Sequence, residues 1–359
     1  MTVERRRILV YEYASGGGLA GRRVPPSLQR EGAAMRAALV TDLLAIGRHE
    51  IVTTADARVG TDLPRSVEVM TLPDGDRARE AALDRAIDSV DAVWLIAPET
   101  DRILERLADR VARRGKILLG SDADAIARAS DKATLGRRLA GLGIRHPRTL
   151  RLTRRVGWTR AAATIGCPIV VKPARGAGSD GVSLVHDARE WRHAVSVARR
   201  VGNRGAVILQ EYVRGIAASV SVLADGHRAT ALSVNQQTLA GSPPFAYRGG
   251  RTPLDHELAP RAIAAALEAC RGVPGLRGFV GVDVVLTESD VAVIEINPRL
   301  TTAYLGVRAA VNENVAALAM DACAGRLPAV LPRLRRSIQF SASGRVVSSE
   351  PARGERGAA

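Results

Sequence analysis

Lysine is nearly absent from this 359-residue chain. Of its 52 basic residues 49 are arginine, and only Lys116, Lys132 and Lys172 are lysine. Arginine is a wide planar fork and lysine a compact point charge, so a lysine kept against this background points to a position that a guanidinium cannot serve. Aromatic residues are also scarce, at 3%, so the core must be aliphatic and alanine-rich. That scarcity bears on the net charge of +15. Such a charge suits an anionic partner, but no aromatic cluster able to stack on bases is interleaved with it. The arginines are spread among Ala, Asp and Glu, and we expect anionic small molecules, not nucleic acid, as ligands. The three cysteines, Cys167, Cys270 and Cys323, are widely spaced and odd in number. They fit neither a disulfide framework nor a zinc knuckle, and a reducing cytoplasm is the expected setting. No run of about 18 apolar residues occurs, so no membrane-spanning helix is expected. Met1 to Arg7 leads straight into a strand and lacks the apolar stretch of a signal peptide.

At about 100–200 residues per domain, the length suggests two or three domains. In the N-terminal third, strand-like runs (Arg7 to Tyr13, His49 to Thr53, Val67 to Thr71, Asp91 to Ala97, Lys116 to Gly120) alternate with helical spacing. This predicts a parallel sheet covered on both faces, an α/β unit. Ligands of such sheets bind beyond the carboxyl ends of the strands, where Gly16 to Gly18 and Glu99 fall. From Ser130, a candidate helix cap, the pattern becomes α+β and mostly antiparallel. Pro168 to Pro173 and Val182 to Val185 read as a hairpin around ARGAGSDG, and Phe279 to Thr287 pairs with Val291 to Ile296. The last twenty residues lose periodicity and are expected to form a loose tail.

Two segments carry chemistry. Lys172 ends a strand and is followed by a glycine-rich run, Ala174 to Gly181, which places a cation beside free backbone N–H groups. That is a phosphate cradle, although a plain hairpin turn has the same composition. The Walker spacing and the dinucleotide fingerprint are both missing. The second segment is Gly281-Val-Asp283 with Glu295-Ile-Asn297-Pro-Arg299. If these are paired strands, Asp283, Glu295 and Asn297 share a face. They offer hard oxygen ligands for Mg²⁺, with Mn²⁺ as the alternative ion. Two carboxylates this close repel without a cation or a shared proton. An acid/base pair of the glycosidase kind would explain the carboxylates but leaves Lys172 and the glycine loop unused.

Taken in order, SDK (130–132), VVKP (170–173), ARGAGSDGV (174–182), QEYVRG (210–215), GVDVV (281–285) and EINPR (295–299) resemble the ATP-grasp superfamily of carboxylate–amine ligases over roughly residues 90 to 325. The resemblance implies a pre-ATP-grasp α/β domain over 1–120 and a small ATP-grasp subdomain with its flap over 121–203. A large subdomain with the metal site would follow over 204–330, and a tail over 331–359. It implies that ATP contacts Lys132 and Lys172, and that Gly176, Gly178, Ser179 and Gly181 belong to a mobile flap. Gln210, Glu211 and Val213 would line the adenine hinge, and Asp283, Glu295 and Asn297 would bind Mg²⁺. Arg299 and Lys172 would act on the acyl-phosphate. A homodimer is the assembly it suggests. One departure stands out: Ile216, Ala217 and Ala218 occupy the stretch where many members carry a ribose-binding acid. EYASGGG, YRGGRTPL (247–254) and NPRLTTAY (297–304) are further similar to tyramine–glutamate ligases of methanofuran biosynthesis. That likeness implies that Thr301 and Thr302 line an acceptor site and that Glu12 and Gly16 to Gly18 face the substrate cleft. The implied substrates are a small carboxylate and an amine. Other ATP-grasp chemistry, or a nucleotide-binding basic protein without turnover, are the competing readings.

Overall fold

The computed structural model describes residues 5–56, 58, 63–176, 178, 180–201, 205–241 and 246–349. The N-terminal unit contains β1 (Arg7–Glu12), α1 (Pro26–Ala45), β2 (Glu50–Asp56), β3 (Glu68–Leu72), α2 (Asp76–Asp88), β4 (Ala92–Ile96), α3 (Ile103–Arg113) and β5 (Ile117–Leu118). The strands are parallel, in the order β3-β2-β1-β4-β5. β1 and β4 are continuous apolar runs because both of their faces are covered. Ile8 and Val10 face α1, while Leu9 and Tyr11 face α2 and α3, as the two-residue period of a strand requires.

Two short helices follow, α4 (Ala123–Ser130) and α5 (Lys132–Gly141). Ser130 does not cap α5. It closes α4, and the cap is Asp131, whose carboxylate accepts from the Thr134 N–H. Both residues suit an N-cap, and the missed α4 is what displaced the cap by one position. The small sheet then forms from β6 (Thr149–Arg151), α6 (Trp158–Ile165), β7 (Ile169–Pro173), β8 (Ser183–Val185), α7 (Ala188–Val201) and β9 (Val207–Glu211), in the antiparallel order β6-β9-β7-β8. The expected division at residue 203 falls before β9, yet β9 pairs with both β6 and β7 and so belongs to the small unit.

The large sheet holds β10 (Ile216–Asp225), β11 (Ala229–Ala240), β12 (Ala246–Thr252), β13 (Arg277–Leu286), β14 (Val291–Asn297), β15 (Ser337–Ser341) and β16 (Val346–Ser349), in the order β14-β13-β10-β11-β12-β15-β16. Helices α8 (Ala259–Arg271), α9 (Ala303–Ala310) and α10 (Val315–Cys323) cover it. The expected tail therefore contains two strands. β15 pairs with β12 and buries Ile338 and Phe340. The alternation in Ser337-Ile-Gln-Phe-Ser341 is only five residues long and sits among arginines and serines, which hides it in the sequence. One core runs without a break from α1 through Phe279, Tyr304 and Phe340, so the N-terminal unit and the large sheet share their interior.

Candidate active site

The hairpin β13–β14 sets Asp283 directly opposite Glu295, with Asn297 two residues further along the same face. The Asp283 carboxylate accepts from the Gln237 amide on β11 at 2.8 Å and from the Asn297 amide at 3.1 Å. Across the cleft stands Lys132, the first residue of α5. Its Nζ lies 2.9 Å from Glu295 Oε2 and donates to the Gly176 carbonyl at 2.9 Å. Lys172 projects from β7 and is buried, at 7% exposure. Lys132, Lys172, Gln237, Asp283 and Glu295 line a cleft of about 190 Å³ between the small and large sheets.

The electrostatics follow from this packing. Burial pushes Asp283 up, and the neighbouring Glu295 charge pushes it further. Burial would raise Glu295 too, but Lys132 and Lys172 outweigh it and hold that carboxyl low. Lys172 is lowered to about 8, chiefly by burial and secondarily by Lys132, against the pull of Glu295 and Asp283. Two carboxylates thus face two lysine ammonium groups, with like charges crowded on each side of the cleft. Among the described residues no cluster of three or more His, Cys, Asp and Glu side chains could hold a metal ion. The donor set is two carboxylates and one amide oxygen. That suits Mg²⁺, which takes one or two carboxylates and completes its sphere with waters and substrate phosphates.

The flap and hinge surround this centre. Gly178 and Gly181 have φ of +67° and +76°, a left-handed backbone that glycine adopts without strain. Gly176, Gly178 and Asp180 line the cleft, and Ser179 lies outside the described residues. Arg175, at the base of the flap, pairs with Glu105 of α3 at 3.3 Å. At the hinge, Gln210 is buried, and its amide donates to Thr149 Oγ1 at 2.9 Å beside the His146 ring. Glu211 turns to Arg148, at 3.1 Å. Both hinge side chains are therefore held by the small unit, and Val213 sits in the link between β9 and β10. Ala217 lines the cleft, and Ala218 is fully buried.

The N-terminal unit also reaches this region. Arg299 follows β14, and its guanidinium makes a bidentate pair with buried Glu99, at 2.8 and 3.1 Å. Thr301 packs its methyl against Gly281, and the Thr302 hydroxyl donates to Glu31 of α1. Glu12 does not face the cleft. Its carboxylate is buried and accepts from the N–H groups of Ala14 and Ser15 and from the Ser15 hydroxyl. Gly16 to Gly18 are buried with it. These residues close a tight loop over the end of β1, and the unsatisfied N–H groups of that loop are what draw the carboxylate inward. Gln237 went unnoticed in the sequence. Its signal is the polar run Asn235-Gln-Gln237 inside an otherwise apolar strand. A larger open groove of about 1010 Å³, against α7 and containing Trp191, Arg192 and Arg199, includes none of the cleft residues.

A parallel α/β unit, a small antiparallel sheet with a glycine flap, and a large sheet bearing two acids and an amide define an ATP-grasp protein. The chain belongs to that superfamily. Residues 129–303 match the ATP-grasp domain family and residues 49–126 the pre-ATP-grasp 3 domain family. A tyramine–L-glutamate ligase from Methanocaldococcus jannaschii is 34% identical over 101 residues, covering 28% of this chain and 32% of that protein. The carbamoyl phosphate synthase large chain of Halomonas eurihalina is 24% identical over 231 residues, 61% of this chain and 21% of that one. The alignments therefore span between about a fifth and a third of these relatives' lengths. A putative ATP-grasp superfamily protein from Archaeoglobus fulgidus superposes with a TM-score of 0.68 at 26% identity, over 93% of this chain and 92% of that one.

Proposed function

We propose that this chain is an ATP-dependent ligase that joins an amino-acid carboxylate to an amine through an acyl-phosphate, with L-glutamate and tyramine as the pair. The observation that supports the ligase chemistry is the half-buried Asp283–Glu295 pair facing two buried lysines across one cleft. The substrate carboxylate attacks the γ-phosphorus of ATP and ADP leaves. The amine nitrogen then attacks the acyl carbon, phosphate leaves, and the nitrogen loses a proton. Phosphoryl transfer of this kind relies on positioning and on charge stabilisation. Lys132 and Lys172 supply fixed positive charge to the phosphates, and the flap around Gly176 to Gly181 excludes water from the acyl-phosphate. Asp283, Glu295 and Asn297 would hold Mg²⁺. When bound, that ion supplies charge neutralisation at the phosphate oxygens. Arg299, steadied by Glu99, serves the acyl-phosphate end. With the hinge side chains engaged elsewhere, adenine is read by backbone groups of Glu211 to Val213. The lack of an acid near Ala217 leaves the ribose weakly held.

The specific pair rests on the similarity to tyramine–L-glutamate ligase over 101 residues and on the short motifs at 12–18, 247–254 and 297–304. That similarity supports a role in the assembly of a methanofuran-type one-carbon carrier. ADP release measured with a panel of acids and amines tests the whole reading. Release requiring both L-glutamate and tyramine is the expected result. Release with an acid alone would leave the amine open, and no release with any pair would sink the ligase assignment. Light scattering in solution tests the homodimer that belongs to this reading.

A further inference from the structure

The open groove of about 1010 Å³ on the small unit has a wall made of one face of α7. Trp191, Val195 and Arg199 stand one turn apart in one row, and Arg192, Ser196 and Arg200 form the row beside it. Ala194 and Ala198, small and buried, turn the other way onto the sheet. The opposite wall is the chain after β6 together with the entry to β9. The Leu152 N–H clamps these two segments by donating to the Val207 carbonyl at 2.9 Å. Leu152, Val156, Trp191 and Val195 are partly buried against the interior of the small unit, so the groove has an apolar floor.

Its charge has one sign. Arg154, Arg192, Arg199 and Arg200 line it, and no Asp or Glu does. All four are exposed, and among the described residues none forms an ion pair. Arg200 alone has a hydrogen-bond partner there, Ser196 Oγ at 2.7 Å. The one acid of α7, Glu190, accepts from the His186 N–H at 2.7 Å. Asp187, just before the helix, is taken by Arg189. The N-terminal unit is built differently: Arg110 and Arg114, at the end of α3, each meet two acids of α2. The groove arginines face outward over an apolar floor with no such counter-charges.

Three kinds of anion would answer that charge. Small-molecule pockets run to about 1,000 Å³ and enclose most of their ligand, whereas this groove is at that limit and open, so a small anion would stay largely in water. A nucleic-acid backbone needs cations but no apolar floor. The single indole, Trp191, is packed edge-on against Trp158 with ring centroids 6.0 Å apart, which is not a ladder for stacked bases. An apolar centre with a charged rim, built from Trp and Arg, is the composition of a protein-binding surface.

We propose that this groove docks an acidic, amphipathic segment of a partner protein. An apolar side chain of the segment rests on Trp191 and Val195. Its carboxylates meet Arg192 and Arg199, which stand two helical turns, about 10 Å, apart. The groove contains none of the cleft residues, so this inference goes beyond the ligase reading and stands without it.

The test is a selection from a random dodecapeptide library displayed on phage, with the full chain as bait. The selected sequences are expected to combine several Asp or Glu with a Leu, Phe or Trp. Synthetic copies, followed by fluorescence anisotropy, should bind the double variant Arg192→Glu with Arg199→Glu at least about tenfold more weakly than the parent, the loss typical of contacts that dominate an interface. An unchanged melting temperature shows that the double variant is folded. Trp191→Ala should weaken the same peptides by a smaller factor. A selection without acidic enrichment, or acidic peptides that bind parent and double variant equally, overturns the proposal. Oligo(dT) and tripolyphosphate are titrated in parallel. If either binds more tightly than every selected peptide and shows the larger loss in the double variant, the groove belongs to nucleic acid or to a small anion and the protein partner is overturned.

Discussion

The cleft has two walls of different construction. The nucleotide wall crowds like charges together: Asp283 is pushed up by burial and by Glu295, and buried Lys172 is pulled down to about 8 by burial and by Lys132. The junction wall, where the N-terminal unit meets the end of β14, gathers groups that hold one another: Glu99 on Arg299, and Thr302 on Glu31. The first arrangement costs stability until an ion and phosphates arrive. The second joins two units of the chain and keeps the reacting end of the cleft in register. The two walls should therefore respond differently to substitution.

The largest effect on stability is expected at the junction. Glu99→Gln leaves the largely covered Arg299 without its counter-charge and should lower unfolding stability by about 3 kcal/mol in a denaturant titration. The double variant Glu99→Gln with Arg299→Met should recover much of that loss. If the single variant is as stable as the parent, the junction is not held by this pair. On the nucleotide wall the order reverses. Asp283→Asn and Glu295→Gln should cut ADP release by about 10²–10³ or more, the size of effect seen when one preorganised charge contact is lost. In Mg²⁺-free buffer the melting temperature of Asp283→Asn should hold or rise, because a buried like-charge contact is relieved. Equal activity to the parent in both variants would break the assignment.

A third test uses pH. Burial holds His146 down to about 4, with Lys172 adding to the shift and the Val293 carbonyl, 2.8 Å from Nδ1, opposing it. The folded pKa lies below the unfolded value of about 6.5, so the unfolded chain takes up the proton first as pH falls. Stability from this residue is complete above about pH 6.5 and is lost progressively down to about pH 4, by up to about 3 kcal/mol. His146→Asn keeps a donor for Val293 and should flatten that slope; an unchanged slope would assign it to other groups. The smallest effect is expected from Lys172→Arg, a drop in turnover of at least about tenfold, or 1.4 kcal/mol, since a fork does not fit a point-charge position in a filled cleft. A normal rate would remove the argument from lysine scarcity.

The two walls also differ in how far the sequence reveals them. Asp283, Glu295 and Asn297 are legible because strand period alone puts them on one face, and acids among Val and Ile stand out. The lysines are legible because so few exist, although Lys116 shares their rarity and only donates to the Asp88 carbonyl near the surface. Thr302 stands in a legible motif, but its contact with Glu31 is not legible, since 271 residues separate them and only the packing of α1 brings them together. Glu12 illustrates the opposite failure. Its position at a strand end suggests a ligand, but the carboxylate serves the N–H groups of its own loop. β12 and β15 escape notice because glycines and serines interrupt their short alternation.

The place of β15 has a consequence for synthesis. The outer edge of β12, with Gly249 and Gly250 in it, finds its partner in Ile338 to Ser341, some ninety residues later in the chain. A ribosome adding about 5–20 residues per second leaves that edge open for seconds while the catalytic hairpin is already complete. During that interval the nascent protein presents an unpaired strand, the kind of surface that other chains can extend. The closing hairpin at 337–349 covers that edge, and losing it should show first as poor recovery of soluble protein during expression.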